Sequence, residues 1–102
     1  MYRAREQVEN ERWLAEIERA TKQLDLDATV GSRATDLFLS TVPDAERSKR
    51  ATVAASLYAG ALIEGDRRSQ QAVADVVGVS RLTIQQRWKQ LIEEAGLRPP
   101  KW

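Results

Sequence analysis

At 102 residues the chain is long enough for one hydrophobic core and too short for two. It has no cysteine and no histidine, which excludes disulfides, Cys/His zinc sites, thiolate nucleophiles and imidazole acid–base catalysis together. The net charge of +1 hides an asymmetry: residues 1–46 carry six Lys/Arg against ten Asp/Glu, a net of −4, and residues 47–102 carry ten against five, a net of +5.

Apolar spacing predicts five helices and no strands. The first runs roughly from Arg5 to Leu24, with Trp13, Ile17, Ala20 and Leu24 on one stripe and Leu14 and Thr21 widening it. Its other face is laced with charge and reads as solvated. A turn at DLDATVGS supplies capping candidates. The second helix runs roughly from Ala28 to Thr41, with Val30, Ala34, Leu37, Phe38 and Thr41 inward. Pro43-Asp44 breaks it, and either Asp44 or Ser48 caps the next.

The third helix, roughly Arg50 to Glu64, differs in kind. ATVAASLYAGALI is apolar nearly all round and rich in Ala, Ser and Gly. Such a helix is buried on most sides, and its small residues let neighbours approach closely. Tyr58 is expected to bury its ring and bond its hydroxyl to a neighbour. The apolar run Val53 to Ile63 is too short to span a bilayer and is internal, unlike a signal peptide. A soluble, cytoplasmic protein with no membrane partner is therefore expected.

After a GDRR loop at 65–68, residues 69–96 read as a helix-turn-helix. Ser69 is placed to cap a short helix whose stripe is Ala72, Val73, Val76 and Val77. Gly78 suits the left-handed conformation that ends it. Val79 stands before a Ser80 cap and can staple onto Ile84. In the last helix Ile84, Trp88, Leu91 and Ala95 share the inner face, with Ile92 at its edge. Leu82, Gln86, Lys89 and Gln90 lie opposite, flanked by Arg81 and Gln85. An aliphatic Leu82 on a polar face suits a thymine methyl, and Arg and Gln suit base edges. The same pattern also fits an ordinary helical hairpin with one stray leucine. RPPKW closes the chain as an extended tail over 97–102.

Residues 47–96, with their small-residue helix, Gly-acidic-basic loop and helix-turn-helix, resemble a cyclin-type repeat of transcription factor IIB and its archaeal counterpart. The likeness is greatest to the second, C-terminal repeat. The matching positions are Tyr58, Gly65-Asp66-Arg67, Ser69-Gln70, Val73-Ala74, Val77-Gly78-Val79, Leu82-Thr83-Ile84-Gln85 and Arg87-Trp88. Lys49 stands where the family usually has Pro, a change that removes only preorganisation of a first turn. Gln85 stands where the family has an Arg that reads a base, so adenine is favoured over guanine there. The Cys-rich zinc ribbon and a first repeat are not in this chain.

The resemblance implies a single cyclin-like domain over 1–102: an all-α, five-helix bundle ending in the helix-turn-helix. It implies a DNA-binding transcription factor or regulator whose last helix enters the major groove of double-stranded DNA. Arg81, Leu82, Gln85 and Gln86 are then the base readers. Arg67, Arg68, Arg87 and Lys89 are the phosphate holders, with Arg87 nearer the core edge and able to pair with an acidic neighbour instead. The alternative is a protein-interaction module for TATA-binding protein, RNA polymerase or another initiation factor, favoured by the acidic first half. A second copy is a further candidate partner, since the family sets two repeats side by side. No catalytic residue, metal or cofactor is expected, and an enzyme is disfavoured for want of any nucleophile–base pair. The initial Met and charged first helix fit a complete short protein; a piece of a longer factor is the other reading.

Overall fold

The computed structural model describes residues 10–42 and 46–96. Among these residues there are five helices and no strands, as the spacing predicts. They are α1 (Glu11–Gln23), α2 (Ala28–Ser40), α3 (Glu46–Ile63), α4 (Gln70–Val77) and α5 (Arg81–Glu94). Residues 5–9 of the expected first helix, the Pro43-Asp44 break with its Asp44 cap, and the 97–102 tail lie outside the described residues. At Asn10, where the expected helix should be continuous, the backbone is a turn with φ −110° and ψ 14°, and α1 begins only after it.

The core is built around α3. Val53, Ala54, Ala55, Ser56, Leu57, Ala59 and Ala61 are wholly buried. The helix touches all four others, most extensively α2 and α5. Small residues make this possible. A Cβ added at Gly60 would sit 3.2 Å from the Ala34 backbone nitrogen and 3.4 Å from the Val30 carbonyl oxygen, so α2 and α3 approach backbone to backbone there. The helix begins about a turn earlier than expected, at Glu46. Ser48 therefore lies inside it and does not cap it; its carbonyl accepts a bond from Thr52 Oγ1 at 2.8 Å. The reason is that Glu, Arg and Lys before Arg50 are good helix formers and need no burial to extend the helix.

The outer helices turn their predicted stripes inward. Trp13, Ile17, Ala20 and Leu24 of α1 and its end are buried, as are Val30, Ala34, Leu37 and Phe38 of α2. Leu39 is buried too, beyond the predicted stripe. Tyr58 buries its ring edge-on against Trp88, with centroids 5.5 Å apart and planes at 74°. Its hydroxyl does not make the expected hydrogen bond to any described residue.

The GDRR loop locks the α1–α2 turn. Asp25 takes a left-handed φ of 55°, which Asp tolerates better than most residues. Asp66 Oδ2 accepts the Asp27 N–H at 3.1 Å. Arg68 donates from Nε to the Leu24 carbonyl at 3.1 Å, from Nη2 to the Asp25 carbonyl at 2.9 Å and from Nη1 to Asp66 Oδ1 at 2.8 Å. These bonds lower the Asp66 carboxyl pKa from its usual value, chiefly through the Asp27 N–H and then through Arg68.

Candidate nucleic-acid interface

Two serines and one glycine shape α4, the turn and α5. Ser69 Oγ accepts the Ala72 N–H at 3.0 Å, opening α4. Gly78 stands at φ 86°, ψ 40° and ends it. There the Gly78 and Val79 N–H groups both donate to the Ala74 carbonyl, at 2.8 and 3.1 Å. Ser80 Oγ then accepts the Thr83 N–H at 3.2 Å and opens α5. Val79 is half-buried against the core, where a staple belongs. Only three residues separate the helices, so their relative placement leaves little slack.

The inner face of α5 consists of Ile84, Trp88, Leu91 and Ile92, all buried. Ile92 is wholly buried and so belongs to this face; Ala95 is the edge member. In α4, Ala74 is buried along with Val73 and Val77, while Ala72 and Val76 are half-buried.

Two arginines from other helices grip the end of α4. Arg19 of α1 donates to the Val76 carbonyl at 2.9 Å, and Arg50 of α3 donates to the Val77 carbonyl at 3.0 Å. Cations suit a helix C-terminus, where the dipole is negative. Glu16 bridges the two guanidiniums. Its hydrogen bond from Arg19, with added attraction from Arg19 and Arg50, holds its carboxyl below the usual range against the opposing effect of burial. Arg12 and Arg50 also lie over the Trp13 ring, at 4.6 and 5.4 Å from its centroid. The helix pair is thereby braced against the bundle.

The outer face of α5 carries Arg81, Leu82, Gln85, Gln86, Lys89 and Gln90, all exposed. Leu82 is 55% exposed, the large hydrophobic left uncovered among the described residues. Lys89 Nζ lies 5.4 Å from the Trp88 ring centroid. Arg87 is exposed and makes no ion pair with a described acidic residue. Arg67 is exposed on the GDRR loop. Arg68 is different: its guanidinium is turned into the fold by the bonds given above, which leaves it poorly placed to hold a phosphate.

Sequence reasoning missed one residue of this surface. Gln70, at the start of α4, donates from Nε2 to Gln85 Oε1 at 2.7 Å, and Arg81 Nη1 donates to Gln70 Oε1 at 3.4 Å. No periodicity announces a contact between polar side chains 15 residues apart on different helices. Among the described residues no cluster of three or more His, Cys, Asp or Glu stands ready for a metal ion, and no helix is long and apolar enough to cross a membrane. A groove of about 560 Å³ lies between α1 and α2, lined by Leu14, Ile17, Thr21, Leu26 and Gly31 among others. None of the α5 outer-face residues borders it.

Comparison with known proteins agrees with this architecture. The family model for the transcription factor TFIIB repeat matches residues 7–94. The chain is similar to a transcription initiation factor IIB of Pyrococcus horikoshii, 41% identical over 54 residues, which cover 53% of this chain and 18% of that protein. It is also similar to transcription initiation factor IIB 1 of Thermoplasma volcanium, 50% identical over 44 residues, or 43% of this chain and 14% of the relative. The factor from Archaeoglobus fulgidus is 41% identical over 51 residues, 50% of this chain and 16% of its own length. The matched stretch spans less than a fifth of each of these relatives. With 88 of its 102 residues inside the family model and the five described helices packed as a cyclin-like bundle, the chain belongs to the transcription factor TFIIB repeat family.

Proposed function

We propose that this repeat is a DNA-binding transcription factor of the IIB type, acting as a regulator or accessory factor of initiation. The first turns of α5 enter the major groove of double-stranded DNA, with Arg81, Leu82, Gln85 and Gln86 toward the bases. Arg67, Arg87 and Lys89 hold phosphates. Arg68 drops out of that set, because its donors are committed to the α1–α2 turn. The observation that carries the reading is Leu82: a leucine 55% exposed in the first turn of a helix whose other apolar residues are buried. Folding does not call for it, and a thymine methyl gives it a partner. The names of the similar proteins, all transcription initiation factors, support the same reading.

Selection from random DNA duplexes, repeated at several salt concentrations, tests the proposal. The expected result is an enriched motif and binding that weakens steeply with salt, the mark of released counterions. Arg81→Ala and Gln85→Ala should each cost about 1–3 kcal/mol on the best site and little on random DNA. Unchanged affinity and preference in both variants would remove α5 as the reader. A palindromic motif with two copies bound, measured by light scattering of the complex, would extend the proposal to a dimer on DNA.

The second reading is a protein-interaction module for TATA-binding protein or RNA polymerase. The net of −4 over residues 1–46 favours it, with Glu11, Glu18, Asp25, Asp27 and Asp36 all exposed. Salt-insensitive pull-down of either partner without any DNA enrichment would select it.

A further inference from the structure

Gln70 touches two of the proposed base readers at once, and the chemistry of the contacts fixes their directions. A guanidinium can only donate hydrogen bonds. Arg81 Nη1 lies 3.4 Å from one end of the Gln70 amide, so that end is the oxygen. The NH₂ end of Gln70 therefore faces Gln85, at 2.7 Å. Only an acceptor can meet it, so Gln85 turns its Oε1 inward. What Gln85 then offers to solvent is ordered: both hydrogens of its Nε2, and the second lone pair of its Oε1 on the side nearer Gln70. Arg81 sets Gln70, and Gln70 sets Gln85.

The order matters for a reader of bases. A glutamine amide carries a donor and an acceptor side by side, and adenine presents a matching acceptor and donor at N7 and N6. A freely rotating amide presents either order; one held by Gln70 presents one. We infer that Gln70, although on the supporting helix, is a positioning residue that sets the donor–acceptor polarity of Gln85 and thereby its preference for adenine. This rests on the DNA-binding reading of α5. Gln70 itself is half-buried behind the outer face, and Ser69, not Gln70, caps α4. Its replacement therefore leaves the helix start intact.

The experiment is selection from random duplexes with the full chain and four variants: Gln85→Ala, Gln70→Ala, Gln70→Glu and the double Gln70→Ala/Gln85→Ala. Thermal melts confirm that each is folded. Gln85→Ala identifies the base position that Gln85 reads, as the one whose preference collapses. At that position wild type should favour adenine by about tenfold or more. Gln70→Ala should bring that ratio most of the way to the Gln85→Ala value, and the double variant should add nothing further. Gln70→Glu should do more than relax it. A carboxylate only accepts, so Gln85 must turn its NH₂ inward, and the base preferred at that position should change. Preference at positions read by neither Gln85 nor Arg81, its other bonded neighbour, should stay at wild-type values, and so should the salt slope of the uncharged Gln70→Ala variant, which a general loosening of the helix pair would not allow. Gln70 variants that keep the wild-type ratio overturn the inference while the DNA-reading role of α5 stands. No motif enriched by wild type at any salt overturns both.

Discussion

Two neighbouring arginines show how far a residue's role depends on its partners. Arg67 and Arg68 are indistinguishable as sequence, and both invite a phosphate. Arg68 instead spends its guanidinium on the backbone carbonyls of Leu24, Asp25, Asp66 and Arg67 and on the Asp66 carboxylate, while Arg67 is exposed. Arg68→Ala should lower stability by about 1.5–3 kcal/mol, the range for bonds to a charged donor, and leave the salt slope of DNA binding unchanged. Arg67→Ala should do the reverse: an unchanged melt and a slope shallower by about 0.9. Melting curves and salt titrations on the two variants check both. A shallower slope with an unchanged melt for Arg68→Ala would return it to the phosphate set. Glu16 is the acidic counterpart. Its folded pKa is depressed, so its stabilising contribution is present above the unfolded value of about 4.3 and is lost as pH falls through the folded one. Asp66 acts in the same direction. The melting temperature should therefore fall as pH drops below about 4, and Glu16→Gln should make that fall shallower while lowering stability near neutral pH.

At the scale of elements, α3 is the test of what small residues do. Gly60 ordinarily weakens a helix interior by about 1 kcal/mol relative to Ala. Here that cost is offset by the close approach it permits, with a Cβ only 3.2 Å from the Ala34 nitrogen of α2. That neighbour is helical backbone and yields less readily than the tip of a side chain. Gly60→Ala should thus destabilise the protein, by about 1–2 kcal/mol net, despite the better helix former. A melt at or above the wild-type temperature would show that α2 and α3 can part at little cost. The short α4 is the opposite case. It has eight residues and little intrinsic stability, and it is held by a serine at one end and two imported arginines at the other.

For the whole molecule, the order of opening follows from who surrounds whom. α3 is in contact with the four other described helices, so its amides are released only when the bundle comes apart. Hydrogen exchange should be slowest over residues 53–61 and faster over α1, whose outer face is charged and exposed. Slowest exchange in α1 would mean that the bundle is not organised around α3. The proposed DNA-reading surface sits on the last helix, buried on one face against α3, so its position follows that of the core.

Much of this architecture is written locally. The stripes of Trp13, Ile17, Ala20 and Leu24, or of Ile84, Trp88 and Leu91, repeat within a turn or two. The caps of Ser69 and Ser80 and the left-handed Gly78 act over three or four residues. Such features depend on residue type and local backbone geometry, and so the sequence by itself determined the helices found among the described residues, their inner faces, the tight turn, the family and the exposure of Leu82. It did not determine what the polar side chains do once the helices dock. Arg68 reaches a carbonyl 44 residues away, Arg19 one 57 residues away, and Gln70 an amide 15 residues away. A long, flexible polar side chain has no preferred partner until packing brings one within hydrogen-bond distance. The tertiary structure alone therefore decided that Arg68 is a clamp, that Arg19 and Arg50 brace α4, and that Gln70 stands behind Gln85.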